Sequence, residues 1–237
     1  LYKRLCRPHA ERLALLEKHS DLVMERDDVY LEYVTLNNQL ENYSKTIELI
    51  DNRIFHPWEG GEGKVPAQYQ LARVELAKKF ITKKEYQQAI KLLNECLEYP
   101  HHLGEGKLHG AQENDFYYWL GCAYEGLNEI NEANRCWEMA KDQKPDKMFY
   151  QGLALLKLNR ETEANIRFEK LISFGNAHVD EKIKLDYFAV SLPDLLIWDD
   201  DLTFRNVIHC HYMLGLGNFG LGNYKKAHEH LTKAAKM

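Results

Sequence analysis

A chain that alternates small and large residues at helical spacing has few ways to fold, and the stretch from Tyr117 to Pro145 does so most plainly. It reads Tyr117-x-x-Leu120-Gly121-x-x-Tyr124, then Ala133-x-x-x-Trp137-x-x-Ala140, then Pro145. Spacings of three and four residues put these side chains on one face of each of two successive helices. Gly121 and Ala133 are expected where the two helices cross and their backbones approach. Tyr117, Leu120, Tyr124 and Trp137 are expected to fill the space between one helical hairpin and the next. Pro145 cannot continue a helix and is expected to turn the chain into a further unit.

The same frame fits other segments. One copy runs through Leu76, Ala77 and Phe80, then Tyr86, Ala89, Leu93 and Cys96, and ends at Pro100. Another runs from Gly152 and Leu155 through Ala164, Phe168 and Leu171, starting 31 residues after its predecessor. The last contains Leu214 and Gly215, then Ala227, Leu231 and Ala234, with Gly222-Asn223 as the turn between its helices. Tyr30, Tyr33, Val34, Tyr43, Thr46 and Ile50 follow the frame with poorer residues at the small positions. Residues 3–18 read as an amphipathic helix carrying Leu5, Leu13, Leu15 and Leu16. The segment from Val179 to Arg205 fits least well: a helix is expected over 182–190, ended by Pro193, with Asp199, Asp200 and Asp201 capping the helix that follows.

The unit at 117–145 resembles the tetratricopeptide repeat at each of its marked positions. The resemblance implies an all-α fold, a right-handed superhelix of helical hairpins forming one repeat domain over 1–237. The hairpins are expected near 27–55, 68–100, 114–145, 146–175 and 206–237, with an atypical one at 176–205. In that architecture the first helix of each hairpin lines a concave surface. The facing positions here are Asp28, Leu31, Thr35 and Asn38; Leu71, Val74, Lys78 and Ile81; Asp115, Tyr118, Cys122 and Glu125; Phe149, Leu153 and Leu156; and His209, Tyr212, Leu216 and Phe219. The groove so expected is mixed but rather apolar. Family members that hold the carboxylate tail of a chaperone use Lys and Asn at positions that here carry Leu31, Thr35, Val74, Lys78, Tyr118 and Cys122, so that clamp is missing.

A second resemblance rests on His56-Pro57-Trp58-Glu59-Gly60-Gly61-Glu62-Gly63-Lys64-Val65, with Leu103 to Lys107 and Gly110 to Asp115. These segments look like the C-terminal repeat region of large bacterial proteins whose N-terminal part, a domain of unknown function, is similar in appearance to carbohydrate-active folds. That implies a bacterial cytoplasmic origin, with any catalysis in the N-terminal part. The chain begins at Leu1 rather than Met, and a fragment of a longer protein is expected.

Composition narrows the partners. The net charge of −5 arises from interspersed charges of both signs. That excludes the basic stripe a nucleic-acid footprint needs. No apolar run approaches the roughly 18 to 20 residues of a membrane-spanning helix. Cys6, Cys96, Cys122, Cys136 and Cys210 are scattered singly, which fits small buried hydrophobes in a reducing compartment better than a disulfide framework or a zinc site. A cytoplasmic protein is expected.

The Gly-Glu-Gly-Lys motif occurs twice, at 61–64 and 104–107, 43 residues apart. The repeat frame advances by about the same amount, so both loops are expected on one edge. Paired glycines expose backbone N–H groups to an anion or sugar acid. Neither motif is a P-loop, because Trp58 and His101 stand where that signature needs glycine, and Val65 and Leu108 where it needs Ser or Thr. As connectors, the glycines would instead permit tight packing, and this is the favoured reading. His56, Trp58, Glu62, Lys64, Glu105 and Lys107 are the loop candidates, with His101, His102 and His109 nearby. The histidine spacing does not match a metal-binding helix pair, and His209 and His211, two apart on a helix, diverge. No nucleophile elbow and no Cys-His context is present. The chain is expected to be a non-enzymatic scaffold without cofactor or metal. Its partner would be a protein, a peptide or the N-terminal part of the same polypeptide. The alternative is an accessory domain of a carbohydrate-active enzyme whose Gly-Glu-Gly-Lys loops touch substrate.

Overall fold

The computed structural model describes residues 2–3, 5–107, 110–142, 147–183 and 201–237. Among them every regular element is helical: α1(His9–Lys18), α2(Ser20–Glu25), α3(Asp27–Gln39), α4(Tyr43–Asp51), α5(Lys64–Thr82), α6(Tyr86–Cys96), α7(Asn114–Gly126), α8(Ile130–Asp142), α9(Met148–Lys157), α10(Glu161–His178), α11(Leu202–Gly220) and α12(Tyr224–Lys236), with one short 3-10 turn at His101–Leu103. The chain divides into two compact units, 1–111 and 112–237.

From α3 onward the helices pair in sequence, and one local device makes all five pairs. The first helix ends on a residue in the left-handed region: Glu41 (φ 60°), Lys84 (φ 63°), Asn128 (φ 62°), Asn159 (φ 58°) and Gly222 (φ 75°). The amide of the next residue then donates to the carbonyl five positions back, Asn42 to Asn37, Glu85 to Phe80, Glu129 to Tyr124, Arg160 to Leu155 and Asn223 to Asn218, at 2.8–2.9 Å. This satisfies carbonyls that a helix end leaves without intrahelical partners and starts the second helix at once. Only Gly222 and the two asparagines suit the left-handed backbone; Glu41 and Lys84 hold it against the clash a β-carbon suffers there.

Each hairpin of the second unit closes on a glycine. A β-carbon on Gly121 would overlap the Trp137 indole, one on Gly152 the Phe168 ring, and one on Gly215 the Leu231 side chain. The large residue of the second helix therefore lies flat on the first. Trp137, expected between hairpins, covers Gly121 of its own hairpin, donates from Nε1 to the Tyr118 carbonyl at 3.3 Å, and still reaches Ala154 of α9. The next helix packs on the same surfaces: α8 meets α9, and α10 meets both α9 and α11. Residues 176–178 belong to α10 and residues 202–205 to α11, and these two helices touch directly, with Gly175 against Cys210 and Leu214, and Gly217 against Phe168 and Ile172.

In the first unit α1 and α2 lie on α3, and Val23, Tyr30, Leu31, Val34, Ile50, Phe55, Val65 and Leu103 form one buried cluster. The first helix begins at His9 rather than near residue 3, because Pro8 biases Arg7 away from helical backbone, and Leu5 is exposed. Asp201 accepts a hydrogen bond from the Phe204 amide at 2.9 Å and caps α11. Lys182 and Ile183 lie outside any helix. The remainder of the helix expected over 182–190, together with His109, Pro145, Pro193, Asp199 and Asp200, falls outside the described residues.

Lys84→Gly is expected to raise stability by about 0.5 to 1 kcal/mol, the left-handed penalty less the extra freedom of glycine in the unfolded chain. Gly121→Ala, which drives a methyl into Trp137, is expected to lower it by roughly 1 to 3 kcal/mol. Urea melts of the two variants beside the wild type measure both.

Candidate functional site

Unit 112–237 brings aromatic side chains of three first helices into one ladder. Tyr118 of α7 lies 5.7 Å from Tyr150 of α9 between ring centroids. Tyr150 meets Phe149 at 5.6 Å, Phe149 meets Phe219 of α11 at 6.2 Å, and Phe219 meets Tyr224, the first residue of α12, at 5.6 Å. These separations and the tilted or edge-to-face angles are those at which aromatic rings attract. The ladder runs from half-buried to open: Tyr118, Phe149 and Tyr150 are partly covered, whereas Phe219 is 47% and Tyr224 66% exposed.

Two ion pairs bound this surface. Lys147 meets Asp115 at 2.6 Å and Lys157 meets Glu125 at 2.5 Å. Each joins α7 to α9 or to the residue before it, so the charges at the rim are neutralised in place. Burial, helped by neighbouring Cys122, raises the Tyr118 phenol far above its ordinary value. Burial also raises the Cys122 thiol, against the opposing hydrogen bond from Tyr118 and the charge of Lys157. A thiol held neutral is a poor nucleophile. The surface offers apolar ring faces beside the Tyr118 hydroxyl and the Cys122 thiol, both held neutral by burial.

The expected groove residues divide by unit. Asp115, Tyr118, Glu125, Phe149 and Phe219 flank or form the ladder, and Leu153 packs partly buried on the cluster of Leu155, Ala164 and Phe168. Tyr212 is 48% exposed on α11. In the first unit the expected surface is only partly filled: Leu31 is buried in the cluster that α2 helps to form and Val74 is buried on α5, which packs against α3, α4 and α6, while Leu71 is 43% exposed. Asn38 is buried and donates to the Gln68 carbonyl and side chain, and Lys78 pairs with Glu75 at 2.5 Å. Tyr150, the rung that connects Tyr118 to Phe149, was not among the expected residues because it falls one position beyond the frame.

The two Gly-Glu-Gly-Lys loops meet, and they bind each other. The Glu105 carboxylate accepts from the Gly63 amide at 2.6 Å, filling with a carboxylate of this chain the donor that an external anion would use. The Phe55 amide donates to the His102 carbonyl at 2.8 Å, and a β-carbon on Gly104 would stand 2.5 Å from the Phe55 carbonyl oxygen. Trp58 covers Gly61 and packs on the core cluster. Glu62, Lys64 and Lys107 are exposed. His56 is a surface residue whose amide and ring both meet Asp27, at 2.9 and 3.1 Å.

The same unit holds two charge clusters that nothing in the sequence marks. Asp27 takes Arg53 and His56, and Arg53 lies 4.2 Å over the Tyr30 ring. Arg73, almost wholly buried, reaches both Asp51 oxygens at 2.7 Å and Glu95 at 2.9 Å while stacking on Tyr69 at 3.6 Å. Burial pushes the Tyr69 phenol up to about 12. Among the described residues no three or more His, Cys, Asp or Glu gather as a metal site, and no helix is long and apolar enough to cross a membrane.

No protein-family model matches this chain.

Burial works to raise the Asp27 carboxyl, but the His56 amide, the Arg53 guanidinium and the His56 ring outweigh it and hold it below the ordinary carboxylate range. A depressed folded-state value stabilises the fold above the unfolded value of about 3.9, and that stability is lost as pH falls through the folded value. Asp27→Asn is expected to cost about 1 to 3 kcal/mol at neutral pH and to flatten the acid limb of the stability profile, read by melts from neutral to strongly acidic buffer.

Proposed function

We propose that the chain is a non-catalytic interaction scaffold of the tetratricopeptide type, its hairpins stacked into a right-handed superhelix. The observation that carries the reading is the ladder: Tyr118, Phe149 and Phe219 come from the first helices of three hairpins, and those helices lie against each other, α7 on α9 and α9 on α11. First helices sharing one face is what a stacked array of hairpins requires, and it leaves their outward side chains free for a ligand.

The ligand proposed is a protein or peptide segment with apolar and aromatic anchors, including a segment of a longer polypeptide to which this chain belongs. Aromatic side chains in a partly desolvated setting are where binding energy concentrates at protein interfaces. The neutralised rim gives no preference for a charged polymer, so neither nucleic acid nor a membrane surface is proposed as partner. The buried cysteines Cys96, Cys136 and Cys210, none of them in a disulfide, support a reducing, cytoplasmic setting. The carbohydrate-linked alternative rested on the Gly-Glu-Gly-Lys loops, and the Glu105 to Gly63 contact favours their role as connectors.

Peptides selected from a display library on the intact chain are expected to lose at least about tenfold in affinity, by calorimetry, on Tyr118→Ala or Phe149→Ala, as interface anchors do. Trp58→Ala, in the other unit, is expected to leave binding unchanged. Peptides indifferent to the ladder substitutions, or turnover of a glycoside by the chain alone, would overturn the reading.

A further inference from the structure

The last hairpin carries a pair of histidines with no role in the ladder. His211 of α11 and His230 of α12 face each other with Nδ1 to Nδ1 at 3.0 Å, their rings stacked at 25°. His211 is 6% exposed, and its other nitrogen, Nε2, is buried without a hydrogen-bond partner. A neutral pair satisfies this geometry in one way. His211 carries its proton on Nδ1 and donates it to the bare Nδ1 of His230, which keeps its own proton on Nε2.

An added proton has no good place. On His230 it would set two Nδ1–H groups against each other, unless His211 moved its own proton to Nε2. On His211 it would go directly to Nε2. Either route leaves a buried N–H without an acceptor, a costly state in a dry interface. The charged and titratable groups facing His211 are His230, Glu229 and Lys233, all on α12. Burial leads in holding the imidazole below its ordinary value, Lys233 and His230 add to it, and Glu229 opposes. On the α10 side of α11, His178 and Glu181 pair with each other at 2.8 Å, and Asn206 donates to the His178 carbonyl. The α9 side presents Phe149 to Phe219. The nearby Lys233 ammonium makes the same pair a poor cation site.

The pair joins a helix that little else holds. α11 is the main neighbour of α12, Ala227 is the only buried residue of α12, and its other anchors are Leu231 on Gly215 and Tyr224 on Phe219. A helix with so little buried apolar surface opens at the low end of the local stability range.

We propose that the His211–His230 pair is an acid-sensitive latch that holds α12 on α11 while both rings are neutral and releases it on mild acidification. The sign follows from the lowered folded-state value: the opened state binds the proton more readily, so closure weakens as pH falls below the ordinary histidine value of about 6.5.

Hydrogen-exchange protection factors of the α12 amides test this in the intact chain. From about pH 7.5 to about pH 5.5 they are expected to fall on the order of tenfold, with α10 unchanged. In His211→Asn/His230→Asn, whose amides keep a donor and an acceptor at the Nδ1 positions but do not titrate, α12 is expected to keep the same protection at both values. Unchanged α12 protection in the wild type, or an equal acid loss in the double variant, would sink the proposal. If the double variant frees α12 at every pH, NMR titration of the wild-type rings decides. Protonation of His211 together with α12 opening supports the latch, and both rings titrating like free imidazole with α12 closed refutes it.

Discussion

Two helices of a hairpin can lie flat together only where one of them gives up its side chain. Gly121, Gly152 and Gly215 do this in the second unit, each receiving the broad side of Trp137, Phe168 or Leu231. The consequences run outward from these seams. With the large residue of the second helix spent on the first, the opposite side of the first helix faces the corresponding side of the helix two places along the chain. Tyr118, Phe149 and Phe219 come into register because the seams behind them are alike.

The two units differ as surfaces because of what covers their first helices. In the first unit α1 and α2 lie over α3, and Leu31, which by its frame position belongs to the same kind of outward face as Tyr118, is covered by Val23 and its neighbours. Charge is then managed locally. Arg73 is buried, but Asp51 and Glu95 neutralise it and the Tyr69 ring covers it, so removing any one partner would leave an ion in a dry place. Asp27 gathers Arg53 and His56 in the same manner at the start of α3.

The helical class was legible because spacing and side-chain size are written directly in the chain: the small Gly121 and Gly152, the large Trp137 and Phe168, and the Gly222 turn stand out by inspection, although spacing put Trp137 between hairpins rather than on Gly121. The turns at Glu41 and Lys84 could not, since charged residues carry no signal for left-handed backbone. The groove was half legible. Frame position says which way a residue points but not what lies on top of it, so Tyr118 and Leu31 looked equivalent. The Gly-Glu-Gly-Lys loops were expected on one edge, yet that Glu105 of one binds Gly63 of the other depends on a contact across 42 residues that no local pattern encodes. The Arg73 and Asp27 clusters, and the two histidines of the last hairpin, are assembled from different helices and have no signature in any one of them.

The turn shared by the five hairpins has a bearing on how the molecule comes to be. Each turn is closed by a hydrogen bond between residues five apart, and each seam by residues fewer than twenty apart, so little chain entropy must be surrendered before the first contacts form. Contacts this local favour the early and rapid formation of each hairpin. Because each turn and each seam lies within its own hairpin, gain or loss of one hairpin leaves the turns and seams of the others chemically intact, a direct route by which such a chain acquires a new length.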